Sequence, residues 1–301
     1  MGKIAFVFPG QGAQRAGMGA DIVKNSDAAR RVIDALGGDA YDLIHTATDA
    51  ELLLTVNTQP ALFAVGLACA EALTERGVRA EAVAGFSLGE VTAAAFCGLM
   101  DTWTAYGFVK TRAAAMQACA EANPGGMFAV IKLSAEDTEN LCAQIDGVWP
   151  ANYNYPGQTV VSCTEEAAAL FAKAVTECGG KTVKLAVNGA FHSPLMVNAS
   201  DAAAEYLRGV TFNESRIPLY ANVTAMPYGD AADLLARQIT SPVLWQRTIE
   251  NMVKDGCDTF IETGPGAVLS GLIKKIDPSL RTFNVCDSAS LEIAVRELAA
   301  M

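Results

Sequence analysis

The sequence predicts an α/β fold in which a large domain carries a small inserted subdomain, and three observations lead there. Short apolar runs end in glycine-bearing turns and are followed by helical patterns, which is how alternating strands and helices read in a sequence. The cluster Asn123-Pro124-Gly125-Gly126 interrupts that rhythm and marks a boundary. A chain of 301 residues with 51% hydrophobic content can bury a large core while exceeding the usual size of one domain only modestly.

Taken in order, residues 4–8 form the first strand, broken at Pro9-Gly10-Gln11-Gly12. A helix follows over 58–76, with Thr58 as its cap, an early Pro60, an apolar stripe of Leu62, Val65, Cys69 and Leu73, and a stop at Gly77. Residues 82–86 read as a buried strand leading to Ser87, and a second helix runs over 102–121. Beyond the Pro/Gly cluster the elements are strand 127–133, helix 135–144, strands 148–152 and 159–163, helix 165–178 and strand 182–187. That β-α-β-β-α-β sequence is the ferredoxin-like order. It places a small subdomain at 125–188 and a discontinuous large domain at 1–124 and 189–301. A strand and turn at 259–266, a helix after it and a closing helix from about Ser290 complete the reading.

Composition narrows the function. With 22 basic and 33 acidic side chains the formal charge is −11, a field that repels phosphate backbones and acidic membrane surfaces. Neither nucleic acid nor a membrane is an expected partner. The eight cysteines stand singly, without a C-x-x-C pair, and two histidines are too few to complete a zinc site. A reduced cytoplasmic protein without metal or cofactor fits best. The apolar run before Pro9 is too short for a signal peptide, and residues 61–73 contain Glu71 and fall short of the roughly 20 residues that cross a bilayer.

The chemistry centres on Gly85-Phe86-Ser87-Leu88-Gly89, a G-x-S-x-G sequence between a strand-like run and a helix start. In a nucleophile elbow, flanking glycines let the backbone fold closely while the hydroxyl is thrust out beside free helix-end amides. A serine nucleophile needs a base, and only His45 and His192 are available. His45 reads as an ordinary surface or half-buried residue. His192 precedes Ser193-Pro194, a helix start whose positive end should keep the imidazole neutral. No Asp or Glu stands out as a third member, since a helix from Ser193 would carry Asp201 and Glu205 away. A Ser–His dyad, its ring held by a carbonyl, is the reading. Arg112 shares a helix face with Phe108 and Met116 and so points inward. A structural ion pair and a bidentate grip on a substrate carboxylate are both open for it.

These residues and the blocks around them resemble malonyl-CoA:acyl carrier protein transacylases. The resemblance rests on residues 8–14, 85–90, Arg112 with Met116-Gln117, Gly126-Met127, Asn152-Tyr153-Asn154-Tyr155-Pro156-Gly157-Gln158, residues 190–194, 242–245 and 262–266. It implies an α/β-hydrolase-like large domain, with the ferredoxin-like insert across a cleft that holds the site. It implies Ser87 as nucleophile, His192 as base, Arg112 as partner of the malonyl carboxylate, and the amides of Gln11 and Leu88 as oxyanion hole. Gln238 matches the residue whose carbonyl oxygen orients the histidine. Malonyl-CoA and a phosphopantetheinylated acyl carrier protein are then the substrates, a monomer the state, and fatty acid synthesis the setting. A polyketide acyltransferase or a thioesterase with the same dyad are the alternatives, and a non-catalytic carrier-binding domain is a third. The resemblance departs at Phe86, where the family commonly carries histidine, so the acyl pocket should be less polar. Ala190-Phe191-His192 nevertheless resembles malonyl-selective members. An acidic carrier needs a basic patch on this acidic chain, for which Lys181, Lys184, Lys274 and Lys275 are candidates.

Overall fold

In the computed structural model, which describes residues 2–300, the strands are β1 (Lys3–Phe8), β2 (Ala82–Gly85), β3 (Gly125–Ile131), β4 (Val148–Tyr155), β5 (Gln158–Thr164), β6 (Lys181–Lys184), β7 (Leu219–Tyr220), β8 (Cys257–Thr263) and β9 (Arg281–Val285). They build two sheets. The first is parallel, in the order β7-β2-β1-β8-β9. Its central strands are apolar on both faces because helices cover both, and Ala5 through Phe8 are wholly buried. Phe6 and Phe8 pack on Phe96 at ring-centroid distances of 5.5 and 5.7 Å, which ties the sheet to the helix Leu88–Phe96. Phe8 pairs with Gly85, and Val7 with Glu262. The carboxyl ends of three strands therefore converge, which is where open α/β sheets place their ligands.

The helix Thr55–Glu75 begins a turn earlier than the sequence suggested. Thr58 is not its cap: it lies a turn inside the helix, where its hydroxyl donates to the carbonyls of Leu54 (3.0 Å) and Leu52 (2.5 Å) and accepts no helix N–H among the described residues. The first turn is closed instead from another helix, where Gln117 Oε1 accepts the Val56 N–H at 3.2 Å. Pro60 thus lies within the helix rather than at its start. Gly77 does end it, at φ +86°, with its own N–H on Thr74 and that of Val78 on Leu73.

The second sheet is antiparallel, in the order β4-β5-β3-β6, and the helices Ala135–Gln144 and Glu165–Glu177 join its strands in the β-α-β-β-α-β sequence. Ser134 and Thr164 cap those helices, each accepting an N–H in the first turn. The two faces part by strand alternation. Val130, Val161 and Cys163 pack with Phe171 and Val175 in a core of their own, whereas Met127, Ala129 and Val160 line a cleft toward the parallel sheet. Val243 stitches β4 to the rest of the chain, accepting from Tyr153 and donating to Ala151 at 2.9 Å each. The strands β7 and β9 have no counterpart in the sequence reading, because β7 spans two residues and β9 is a half-exposed edge of mixed polarity. Among the described residues no helix is long and apolar enough to cross a membrane.

Candidate active site

Ser87 sits between β2 and the helix Leu88–Phe96 at φ 53°, ψ −108°, a conformation that L residues rarely adopt. The reason for the flanking glycines is space. A Cβ on Gly85 would lie 1.9 Å from the Gly89 carbonyl carbon, and one on Gly89 would lie 1.9 Å from the Phe8 oxygen. Asn222 locks the turn from across the sheet: its Oδ1 accepts the Ser87 N–H at 2.7 Å, and its Nδ2 donates to the Gly85 carbonyl at 2.6 Å.

His192 reaches the same point from a loop 105 residues away, with Nε2 2.9 Å from Ser87 Oγ. The loop is fixed by Ser162 donating to the Phe191 carbonyl and by Ser193, whose hydroxyl bonds Ala190 at 2.6 Å. His192 itself has φ 57°. Its Nδ1 faces two main-chain carbonyls, Gln238 at 3.0 Å and Ser241 at 3.1 Å. Carbonyls only accept, so Nδ1 carries the ring proton and Nε2 is left to accept from the serine. The Ser241 contact was not foreseen. Nor was the cause of the ring's neutrality: the element after Ser193 starts as a three-residue 3-10 turn, and it is burial, followed by the positive Arg112, that lowers the imidazole to about 4. Asp201 and Glu205 point to solvent, and His45 lies exposed against Tyr41.

Arg112 is fully buried, with Phe108 and Met116 beside it in the core. Its Nη2 donates to Ser87 Oγ at 3.1 Å and to Gln238 Oε1 at 2.8 Å, and its Nη1 donates to Gln59 Oε1 at 2.8 Å. No carboxylate touches it among the described residues, so the structural ion pair left open by the sequence is absent. Burial lowers its pKa to about 10, which leaves it charged at neutral pH. Behind Gln238 stands Glu90, also fully buried, which accepts from Gln238 Nε2, from the Tyr228 hydroxyl (2.6 Å) and from the Asn222 N–H (3.0 Å). Burial pushes its carboxyl up to about 7 against the pull of those donors and of Arg112.

Gln11, Phe86, Ser87 and His192 line a cleft of about 330 Å³, whose far wall carries Asn152, Asn154 and Gln158. The Leu88 N–H, first in its helix, has no protein acceptor among the described residues and lies beside Ser87. Gln11 is held from behind, its side-chain oxygen accepting from Gln59 Nε2 at 3.0 Å. Phe86 packs edge-on against the buried Trp245, 5.5 Å between centroids. Lys181 and Lys184 lie exposed on β6, just before the cleft-lining Leu185 to Val187, and Lys274 and Lys275 on the helix Val268–Ile276, whose first turns also face the cleft. Gln59, Glu90, Asn222 and Ser241 escaped the sequence reading. Only Glu90 carried a signal, as an acid inside an otherwise buried apolar helix start.

A serine hydroxyl placed between a neutral imidazole and a guanidinium can be deprotonated by the first and have its developing charge met by the second. Comparison with known proteins points the same way. The acyl transferase domain family matches residues 5–291. The malonyl CoA-acyl carrier protein transacylase of Bacillus subtilis is 36% identical over 310 residues, covering 99% of this chain and 98% of its own. The crystal structure of the enzyme of that name from Clostridium perfringens superposes with a TM-score of 0.95 at 34% identity, covering 99% of this chain and 98% of that one. A malonyl-transacylase solved in complex with a type II PKS acyl-carrier protein gives 0.92 at 34% identity, over 98% of this chain and 99% of that one.

Proposed function

The chain belongs to the acyl transferase domain family, and from that premise we propose that it moves a malonyl group from malonyl-CoA to the phosphopantetheine thiol of an acyl carrier protein. The observation that carries this reading is the meeting of His192 Nε2 (2.9 Å) and Arg112 Nη2 (3.1 Å) at Ser87 Oγ. Ser87 Oγ attacks the thioester carbonyl as its proton passes to His192 Nε2, and the Gln238 and Ser241 carbonyls hold the ring as it becomes cationic. The N–H groups of Gln11 and Leu88 receive the oxyanion. The C–S bond breaks, the proton moves from His192 to the coenzyme A sulfur, and a malonyl ester remains on Ser87. The carrier's thiol then repeats the sequence in reverse, with His192 taking the thiol proton and returning it to Ser87. Arg112 gives up Ser87 Oγ as the ester forms and pairs with the free carboxylate, which sets a dicarboxylic acyl group apart from acetyl. A plain esterase has no use for that arginine.

The remaining parts of the reading follow from it. The chain acts in the cytoplasm as a monomer without metal or cofactor, it supplies fatty acid synthesis, and Lys181, Lys184, Lys274 and Lys275 meet the acidic carrier. The test is intact-mass analysis after mixing with malonyl-, methylmalonyl- or acetyl-CoA, with and without phosphopantetheinylated carrier. A malonyl adduct that vanishes in Ser87→Ala and passes to the carrier is the expected outcome. Loss of the adduct to water with the carrier unmodified would make the protein a thioesterase, and no adduct at all would make it a non-catalytic binder.

A further inference from the structure

We propose that Glu90 is the counter-charge of Arg112, held one carboxamide away through Gln238, and that this separation keeps the guanidinium available to the carboxylate of an acyl substrate. The inference rests on the reading above, in which Arg112 grips that carboxylate.

Three features support it. First, a buried guanidinium needs a negative charge nearby, yet every acceptor on Arg112 is neutral: two amide oxygens and the serine hydroxyl. Among the described residues its Nε has no partner, and Nη1 uses one of its two hydrogens. Donors are therefore left over where a directly bound carboxylate would have consumed them. Second, the three groups around Glu90 all donate to it, as suits a carboxylate: Gln238 Nε2, the Tyr228 hydroxyl and the Asn222 N–H. Tyr228 stays protonated, since burial and Glu90 itself raise its pKa well above the ordinary value. Third, Gln238 can bridge the two charges in only one orientation. Arg112 only donates and an ionised Glu90 only accepts, so the amide nitrogen must face Glu90 and the amide oxygen Arg112. The same nitrogen also donates to the Ser87 carbonyl at 2.8 Å, which couples the bridge to the elbow.

A direct Glu–Arg pair would neutralise the buried charge as well but would compete with the incoming carboxylate. A neutral amide oxygen is the weaker partner and yields to it. Glu90 is thus a positioning residue: it touches neither substrate nor reacting atoms.

The experiment measures Ser87 loading with malonyl-CoA and with acetyl-CoA at pH 8 in four proteins: wild type, Arg112→Ala, Glu90→Gln, and the exchange Glu90→Gln/Gln238→Glu. The exchange retains the buried charge and nearly all the atoms but sets the carboxylate directly on Arg112. The exchange should lower the malonyl-to-acetyl ratio of kcat/KM by about tenfold, with the malonyl loss mainly in KM, whereas Glu90→Gln, which puts no carboxylate on the guanidinium, should hold or raise that ratio. A ratio within about twofold of wild type in the exchange would overturn the proposal. So would equal losses for both acyl groups, the mark of a merely structural role. If Glu90→Gln shows no cooperative thermal transition, the exchange decides alone. An unchanged ratio in Arg112→Ala would instead sink the arginine's role, which separates failure of that reading from failure of this one.

Discussion

On its cleft side Ser87 faces polar atoms without partners, whereas on its interior side the neighbouring groups are engaged with one another. Asn152 and Asn154 carry buried Oδ1 atoms that no donor among the described residues reaches, and both line the cleft. Behind the serine, Asn222, Glu90, Gln238, Arg112 and Gln59 form one run of hydrogen bonds that returns to the Ser87 N–H, carbonyl and hydroxyl. Buried polar groups are normally paired, so unpaired acceptors on one wall mark the side that receives a ligand, and a network left open among the described residues at Arg112, on Nε and one Nη1 hydrogen, marks the side that holds the nucleophile in place. Changes on the cleft side should therefore cost chemistry, and changes behind the serine should cost stability or selectivity.

The largest expected effect tests the cleft side. His192→Ala should slow formation of the Ser87 adduct by about 10³-fold while leaving a cooperative thermal transition, because it removes the base but keeps the elbow. A time course of adduct mass measures it. A rate within tenfold of wild type would assign the base elsewhere and dissolve the contrast.

Next comes the interior side. Gly89→Ala places a methyl 1.9 Å from the Phe8 oxygen, a backbone atom at the carboxyl end of the central strand that is held by the Phe86 N–H at 2.9 Å and cannot move aside. We expect a loss of about 3 kcal/mol or more in denaturant unfolding. Gly271→Ala is the matched control, since nothing lies within 4 Å of its added Cβ and the site is helical. It should be neutral or stabilising by up to about 1 kcal/mol. Equal effects at the two glycines would show that the close approach at the elbow carries no strain.

The same division explains what could be read from the sequence. The elbow was legible because its requirement is local: the glycines needed for space lie two residues either side of the serine. His192 was legible by elimination, with one other histidine in the chain. The inward direction of Arg112 followed from helical spacing, but the neutrality of its partners did not. Gln59 and Gln238 stand 53 and 126 residues from it, on elements whose mutual placement no local pattern encodes. The ferredoxin-like order was visible in the succession of strand-like and helical runs after the Pro/Gly cluster, which the structure keeps, and the caps Ser134 and Thr164 that start its helices emerge only there. The strand β7 was not, since two residues hold no period. The neutrality of His192 was read correctly in direction and for the wrong cause, because burial is a property of the assembled fold.

That cause leads to the smallest predicted effect. His192 must be neutral to take the serine proton, and burial with Arg112 lowers it to about 4. The kcat/KM for loading acetyl-CoA, which Glu90 does not govern, should stay level as pH falls from 7 toward 5 and decline with unit slope only below about 4, whereas a histidine of ordinary pKa would begin to fail near 6.5. Arg112 contributes by repelling the imidazolium, so Arg112→Ala should raise the histidine's pKa and move the acid limb to higher pH. Acetyl-CoA is the substrate for this comparison, since it carries no carboxylate for the arginine to lose. Stability responds with two opposed signs. Because the folded pKa of His192 lies below the unfolded 6.5, the unfolded chain binds the proton first, and stability is lost as pH falls from about 6.5 to about 4. Glu90 is raised from 4.5 to about 7, so its contribution grows as pH falls through that range. The two groups, one on each side of Ser87, should nearly cancel between pH 4.5 and 6.5 and leave the melting temperature level there. In His192→Ala only the Glu90 contribution remains, so that variant should melt higher as pH is lowered from 7 to 5. A melting temperature that falls in parallel with wild type would show that these two buried groups do not govern the acid behaviour of the fold.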